Sequence, residues 1–170
     1  MKDIKKDIQV LLNLFNVGKF ETVITKAKKL IRIHPEYLVL YNLLGSAYQN
    51  IGSYNLAKNI FVKGYKMDPG NIAIINNLAN VYKNTDEIEL SEKLFNKIIK
   101  IKPDYINAYI NYGNLKRDSN DFVGAMNLYN KALKLNDKIP IVHYSLALAY
   151  QGLGDFKAAI EYANNNSKRI

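Results

Sequence analysis

Residues 41–69 read YNLLGSAYQNIGSYNLAKNIFVKGYKMDP, and the fold follows from this one stretch. Apolar side chains recur at three and four residues, first at Tyr41, Leu44 and Tyr48, then at Tyr54, Ala57, Phe61 and Tyr65. That spacing is one face of a helix. Gly52 interrupts it as a turn signal, and Pro69 ends it. Proline has no amide hydrogen and clashes with the turn before it, so it cannot continue a helix. Gly45 and Ala57 are small where bulky neighbours surround them, as required where two helices approach closely. The stretch predicts helix A, a short turn, and helix B.

The same unit recurs on either side. Pro35, Pro69 and Pro103 stand 34 residues apart, and the next step lands on Asp137. A fixed period of this size marks a repeat array. With residue 4 as position 1, the repeats are 4–37, 38–71, 72–105, 106–139 and an incomplete 140–170, expected to form one continuous array. Position 8 reads Leu11, Gly45, Ala79, Gly113, Ala147, and position 20 reads Val23, Ala57, Ser91, Ala125, Ala159, mostly small. Position 17 reads Phe20, Tyr54, Ile88, Phe122, Phe156, and position 24 reads Ala27, Phe61, Phe95, Tyr129, Ala163, mostly bulky. Position 15 is the turn: Gly18, Gly52, Asp86, Asn120, Gly154. Because Ala79 and Ala147 share the column of Gly45 and Gly113, those glycines are expected to serve packing and to need no positive φ.

These columns resemble the tetratricopeptide repeat (TPR), whose pattern of aromatic, Leu-Gly, Tyr, Gly, aromatic, Ala, Phe and Pro is matched nearly throughout by residues 41–69. The likeness runs from residue 4 to about 163 and is weakest in the first repeat, at Leu11, Val23 and Ala27. It implies an all-α fold, a right-handed α-solenoid of antiparallel helix pairs, with helices A lining a concave groove and helices B facing outward.

Composition narrows the function further. The 170 residues contain no Cys and only two histidines, His34 and His143. Thiolate chemistry, a disulfide scaffold and a cysteine-ligated metal are excluded, and no cofactor is called for. No phosphate-binding glycine loop, HExxH or GxSxG motif is present. His143 falls in the column of Tyr41, Ile75 and Tyr109 and reads as a packed substitute for an aromatic. His34, before Pro35, reads as a helix-end residue. The chain is therefore expected not to be an enzyme. The start, MKDIKKDIQVLLNLFNV, mixes charges and lacks a small-residue cleavage site, and no run of about 18 apolar residues exists. A cytoplasmic protein is the expectation.

Two polar patterns remain. Position 26 reads Lys29, Lys63, Lys97, Lys131, and position 29 reads Arg32, Lys66, Lys100, Lys134. Three residues apart, they form a basic ridge on the outer side of helices B. No aromatic residue interleaves them as base stacking would need, which argues against nucleic acid. The second pattern lies on helices A. Lys, Asn, Ile and Tyr are abundant throughout, as in an AT-rich coding sequence, so only the placement of asparagines carries weight. Positions 6 and 9 give Asn77 and Asn80, then Asn111 and Asn114; Asn76, Asn84 and Asn107 stand on the same face. A carboxamide both donates and accepts, so it can hold a peptide backbone unit. Lys83 and Arg117, at position 12, would border these amides and favour acidic peptides.

"INNLANVYKN" and "INYGNLKRD" look like the TPR superhelix of O-linked N-acetylglucosamine transferases and related bacterial TPR transferases. There asparagines at positions 6 and 9 form a ladder for the peptide backbone; Asn77, Asn80, Asn111 and Asn114 match it, whereas Leu43 and Ser46 depart from it. The carboxylate clamp of heat-shock co-chaperones is not matched. Its lysines and arginine would fall on Ile8, Ala73 and Asn77, on Asn42, Asn107 and Asn111, or on Asn76, Ile141 and Ser145. The expected function is a protein-interaction scaffold holding an extended peptide in the concave groove. The alternative is the substrate-presenting N-terminal part of a larger transferase of glycosyl- or sulfotransferase type. In full repeats positions 27, 28 and 30 of helix B are largely apolar, as at Ile98, Ile99 and Ile101; at the far end Asn166, Ser167 and Arg169 replace them, following Asn164 and Asn165. That helix is expected to pack weakly past Ala163 and to leave an end open to a second copy, end to end.

Overall fold

The computed structural model describes residues 4–167, with side chains described as far as Asn164. Ten α-helices and no strand occur among them: α1 (Ile4–Asn16), α2 (Phe20–Ile33), α3 (Leu38–Asn50), α4 (Tyr54–Met67), α5 (Ile72–Asn84), α6 (Ile88–Ile101), α7 (Ile106–Asp118), α8 (Phe122–Leu135), α9 (Pro140–Gly152) and α10 (Phe156–Ser167). The odd-numbered helices begin 34 residues apart, at 4, 38, 72, 106 and 140, and so do the even-numbered ones, from 20 to 156. The fold class is all-α, of the α-solenoid type built from helix pairs.

One local motif makes the turn within every helix pair. At the end of α1 the amide of Lys19 donates to the Leu14 carbonyl (2.9 Å) and that of Gly18 to Phe15 (3.0 Å). These 6→1 and 5→2 bonds satisfy carbonyls that the helix end would otherwise orphan, and they need a left-handed residue between. The same two bonds recur after α3, α5, α7 and α9. The left-handed residue is Gly18, Gly52 or Gly154 at φ 74–79°, and Asp86 or Asn120 at φ 61°. Asp121 and Asp155 then cap α8 and α10 through bonds to Gly124 (2.8 Å) and Ala158 (3.0 Å). The fourth linker lacks the proline at 137; Pro140 instead takes the first turn of α9, where its missing amide costs nothing.

Two compact units divide between Leu94 and Phe95, inside α6. In the first, α3 packs on α2, α4, α1 and α5, and α4 also packs on α5. In the second, α8 packs between α7 and α9, α9 between α8 and α10, and α7 touches α9. Helices A thus touch one another, while helices B touch only helices A; the two kinds lie on opposite sides of each unit. The core follows the columns. Leu11, Leu40, Leu44, Phe61, Ile74 and Leu78 are buried in the first unit, and Phe95, Leu115, Tyr129 and Leu146 in the second. Ser91 is buried in the small column and donates to the Ala79 carbonyl (2.8 Å), so its hydroxyl carries no unpaired penalty.

Gly45 and Gly113 are helical, as expected, and neither has a positive φ. Their space is narrower than the column suggests. A β-carbon would stand 2.5 Å from the Phe61 ring at Gly45 and 2.5 Å from the Tyr129 ring at Gly113. Alanine is therefore tolerated at position 8 only where the position-24 ring can shift or is absent. His143 is buried, and its Nε2 lies 3.2 Å from the Asp137 carbonyl, where Tyr109 donates its hydroxyl to Pro103 (2.8 Å) one repeat earlier. His34 forms the C-cap of α2, 3.6 Å from the Glu36 carboxylate. The last helix reaches Ser167. The side chains of Asn165, Asn166 and Ser167, and all of Arg169, lie outside the described residues.

Candidate peptide-binding face

In the first unit the amides sit on α5, facing α3. Asn77 donates from Nδ2 to Asn42 Oδ1 (2.8 Å), with Ser46 Oγ at 3.5 Å. This is a lateral link between position 5 of one repeat and position 6 of the next. It forms because both helices turn their polar stripe to the same side. Asn77 is half-buried rather than a free exposed amide, and its remaining acceptor is the Oδ1. Asn76, Asn80 and Lys83 are half-buried on the same helix, and Asn84 is exposed at its end. On α3, Asn50 turns back to the Ser46 carbonyl (2.8 Å), so position 13 there closes its own helix.

In the second unit Asn107, Asn111, Asn114 and Arg117 lie along α7, Asn107 exposed and the others half-buried. Asn114 is held from beneath. The Tyr129 hydroxyl donates to its Oδ1 at 2.7 Å and also shares a hydrogen bond with Ser145 on α9. Burial raises the Tyr129 phenol above its ordinary pKa, against the opposing effect of Arg117, so it remains a neutral donor. With its oxygen so engaged, Asn114 keeps its two amide hydrogens for another acceptor. Arg117 Nη2 sits 2.9 Å from the carboxylate of its neighbour Asp118, which offsets part of its charge.

The sequence columns locate these amides but not their partners. Tyr129 was visible only as a bulky plug; the sign that it does more is a tyrosine where Phe61 and Phe95 stand in other repeats. Ser145 was visible as a polar member of position 6, although it is buried. No group of three or more His, Cys, Asp or Glu side chains able to hold a metal occurs among the described residues.

Comparison with known proteins bears on the repeats and the fold. A family profile described as the tetratricopeptide repeat matches residues 38–71 and 72–105, and a second, described as a TPR repeat, matches residues 113–154. No curated protein matches the chain. Among solved structures, TTC0263, a thermophilic TPR protein of Thermus thermophilus, is 15% identical over 97% of this chain and 90% of that one, with a TM-score of 0.84. PilF of Pseudomonas aeruginosa is 18% identical over 98% and 76%, with a TM-score of 0.83. MamA of Desulfovibrio magneticus is 18% identical over 97% and 93%, with a TM-score of 0.81. At such identities the likeness shows the fold alone.

Proposed function

We propose that this chain, which belongs to the tetratricopeptide repeat family, is a protein-interaction scaffold that holds an extended peptide segment against the helix-A faces of its units. The observation that carries the reading is the way the amides are set. Asn77 is tied to Asn42, and Asn114 to the buried Tyr129 hydroxyl, so each is oriented before any ligand arrives. Asparagine disfavours helix interiors, and fixing it there is useful when the group left over meets a partner. Asn77 offers an acceptor and Asn114 two donor hydrogens, which suit the N–H and C=O of a peptide backbone.

Asn76, Asn80, Asn84, Asn107 and Asn111 extend these faces. Lys83 and Arg117, three residues beyond Asn80 and Asn114, favour acidic side chains in the peptide. Amides on a backbone discriminate little between sequences, so these two charges supply most of the selectivity. The chaperone carboxylate clamp is not part of the proposal, because its cationic positions are occupied by neutral residues in every frame.

The test is selection of peptides from a displayed random library, followed by titration of the best acidic peptide. Asn77→Ala with Asn111→Ala should weaken it by about 1 kcal/mol per amide while the melt falls by no more than about 1.5 kcal/mol per site, the net worth of one intramolecular hydrogen bond. Tyr129→Phe keeps the ring and releases Asn114, and it should weaken binding about fivefold, the equivalent of one hydrogen bond. Undiminished binding in the double variant with an intact melt rejects the helix-A faces.

A further inference from the structure

The excess charge of this protein is concentrated in four short segments. The last nine residues of α2, α4, α6 and α8 (25–33, 59–67, 93–101 and 127–135) contain eleven Lys and Arg and no Asp or Glu. The whole chain has 24 and 15, so the remainder is at −2 and these segments account for the net +9. Helix dipoles favour cations in a last turn, which covers Arg32, Lys66, Lys100 and Lys134. The dipole falls off within that turn and does not call for Lys29, Lys63, Lys97 and Lys131 before it, nor for the exclusion of every acid.

A second column accompanies the charge. Position 30 is Ile33, Met67, Ile101 and Leu135, and these side chains are 42–69% exposed. Each follows a position-29 cation directly and stands one turn past a position-26 lysine, so it shares their helix face. From sequence they read as core, like positions 27 and 28; the structure puts them in solvent. One exposed aliphatic is ordinary. The same exposure in four copies, each beside two cations, is a patterned surface.

We infer that the helix-B faces of each unit dock on an anionic lipid bilayer. In the first unit Lys29, Arg32, Lys63 and Lys66 meet the headgroups, and Ile33 and Met67 enter the interface. In the second, Lys97, Lys100, Lys131 and Lys134 do the same with Ile101 and Leu135. Each cation close to such a surface multiplies partitioning roughly fivefold, and a shallow aliphatic side chain adds a component that salt does not screen. Duplex nucleic acid is the competing polyanion, but phosphates gain nothing from an exposed Ile or Met, and no aromatic stands in columns 26, 29 or 30 to stack on bases. No described helix is long and apolar enough to cross a membrane, so the association is peripheral. It uses the side of each unit opposite the amides and stands or falls independently of peptide binding.

The experiment is co-sedimentation of the full chain with vesicles of phosphatidylcholine alone or with ~30% phosphatidylglycerol, between about 0.05 and 0.5 M salt. Binding at low salt only to the anionic vesicles is expected. Lys29→Ser with Arg32→Ser should reduce it more than tenfold. Ile33→Ser with Met67→Ser should reduce it about threefold, while leaving retention of a short DNA duplex unchanged. Both pairs are on the surface and should melt like the parent. Equal partitioning to both vesicle types, full binding by the Ile33 and Met67 variant, or tighter binding to the duplex than to anionic vesicles at the same salt would overturn the inference.

Discussion

In the fourth repeat the Tyr129 ring lies against Gly113, and Phe122 lies so close to Gly152 of the next repeat that a β-carbon there would stand 2.3 Å away. In the fifth, the same columns hold Ala147 and Ala163, and Phe156 is 63% exposed. Ala147, Ala163, Tyr144, Leu148, Phe156 and Ile160 line an apolar depression of about 300 Å³. The difference separates two kinds of packing that a shared column conceals. The position-8 and position-24 pair closes within one repeat, whereas the position-17 ring of Phe122 reaches across to position 13 of the repeat that follows. The fifth repeat therefore leaves exposed, among the described residues, an apolar face of the kind that Gly152 covers at Phe122.

Substitutions in these columns should change sign between the two repeats. Gly113→Leu forces a branched side chain into the Tyr129 ring and should cost about 3 kcal/mol, lowering the melting temperature by roughly 6–12 °C. An unchanged melt would break the comparison at its root. Ala163→Phe should stabilise by about 1.5 kcal/mol, since it supplies the missing ring and fills the depression. The pair Ala79 and Phe95, both buried, shows that alanine and a ring can occupy these two columns of one repeat. Loss of stability in this variant would mean that the depression is already shaped for something else.

Two smaller effects sharpen the contrast. His143 stands where Tyr109 stands, and its Nδ1 is buried without a hydrogen-bond partner. His143→Tyr removes that unpaired nitrogen and restores a hydroxyl for the linker carbonyl, a gain of about 1 kcal/mol in a denaturant melt. Asn120 holds φ 61° at the turn where Gly154 holds 79°. Asn120→Gly should therefore stabilise by about 0.5 kcal/mol, because glycine enters the left-handed region without a β-carbon. A loss there would show that the Asn120 side chain contributes more than its backbone strain removes.

Much of this was legible in the amino-acid order. The turn column names the five left-handed residues, and the small and bulky columns name the packed pairs, because backbone hydrogen bonds and ring volumes repeat with the register. Position 30 was not legible: Ile33 and Ile101 keep the helical spacing of core residues, but periodicity does not say that the neighbouring helix has already turned away. The Asn77–Asn42 and Tyr129–Asn114 bonds were also hidden, because they join side chains from different helices through particular rotamers. The polar face was readable on the helix, and its wiring was not.

The turn that recurs after every odd-numbered helix closes each pair with its own backbone, and within each unit no helix packs on one beyond the adjacent repeat. Such a chain has little long-range topology to lose. Pulled from its ends, it should come apart in quanta of one helix pair, each 34-residue release adding about 110 Å of contour to the tether. Its resistance to force would then be set by whichever single pair is weakest.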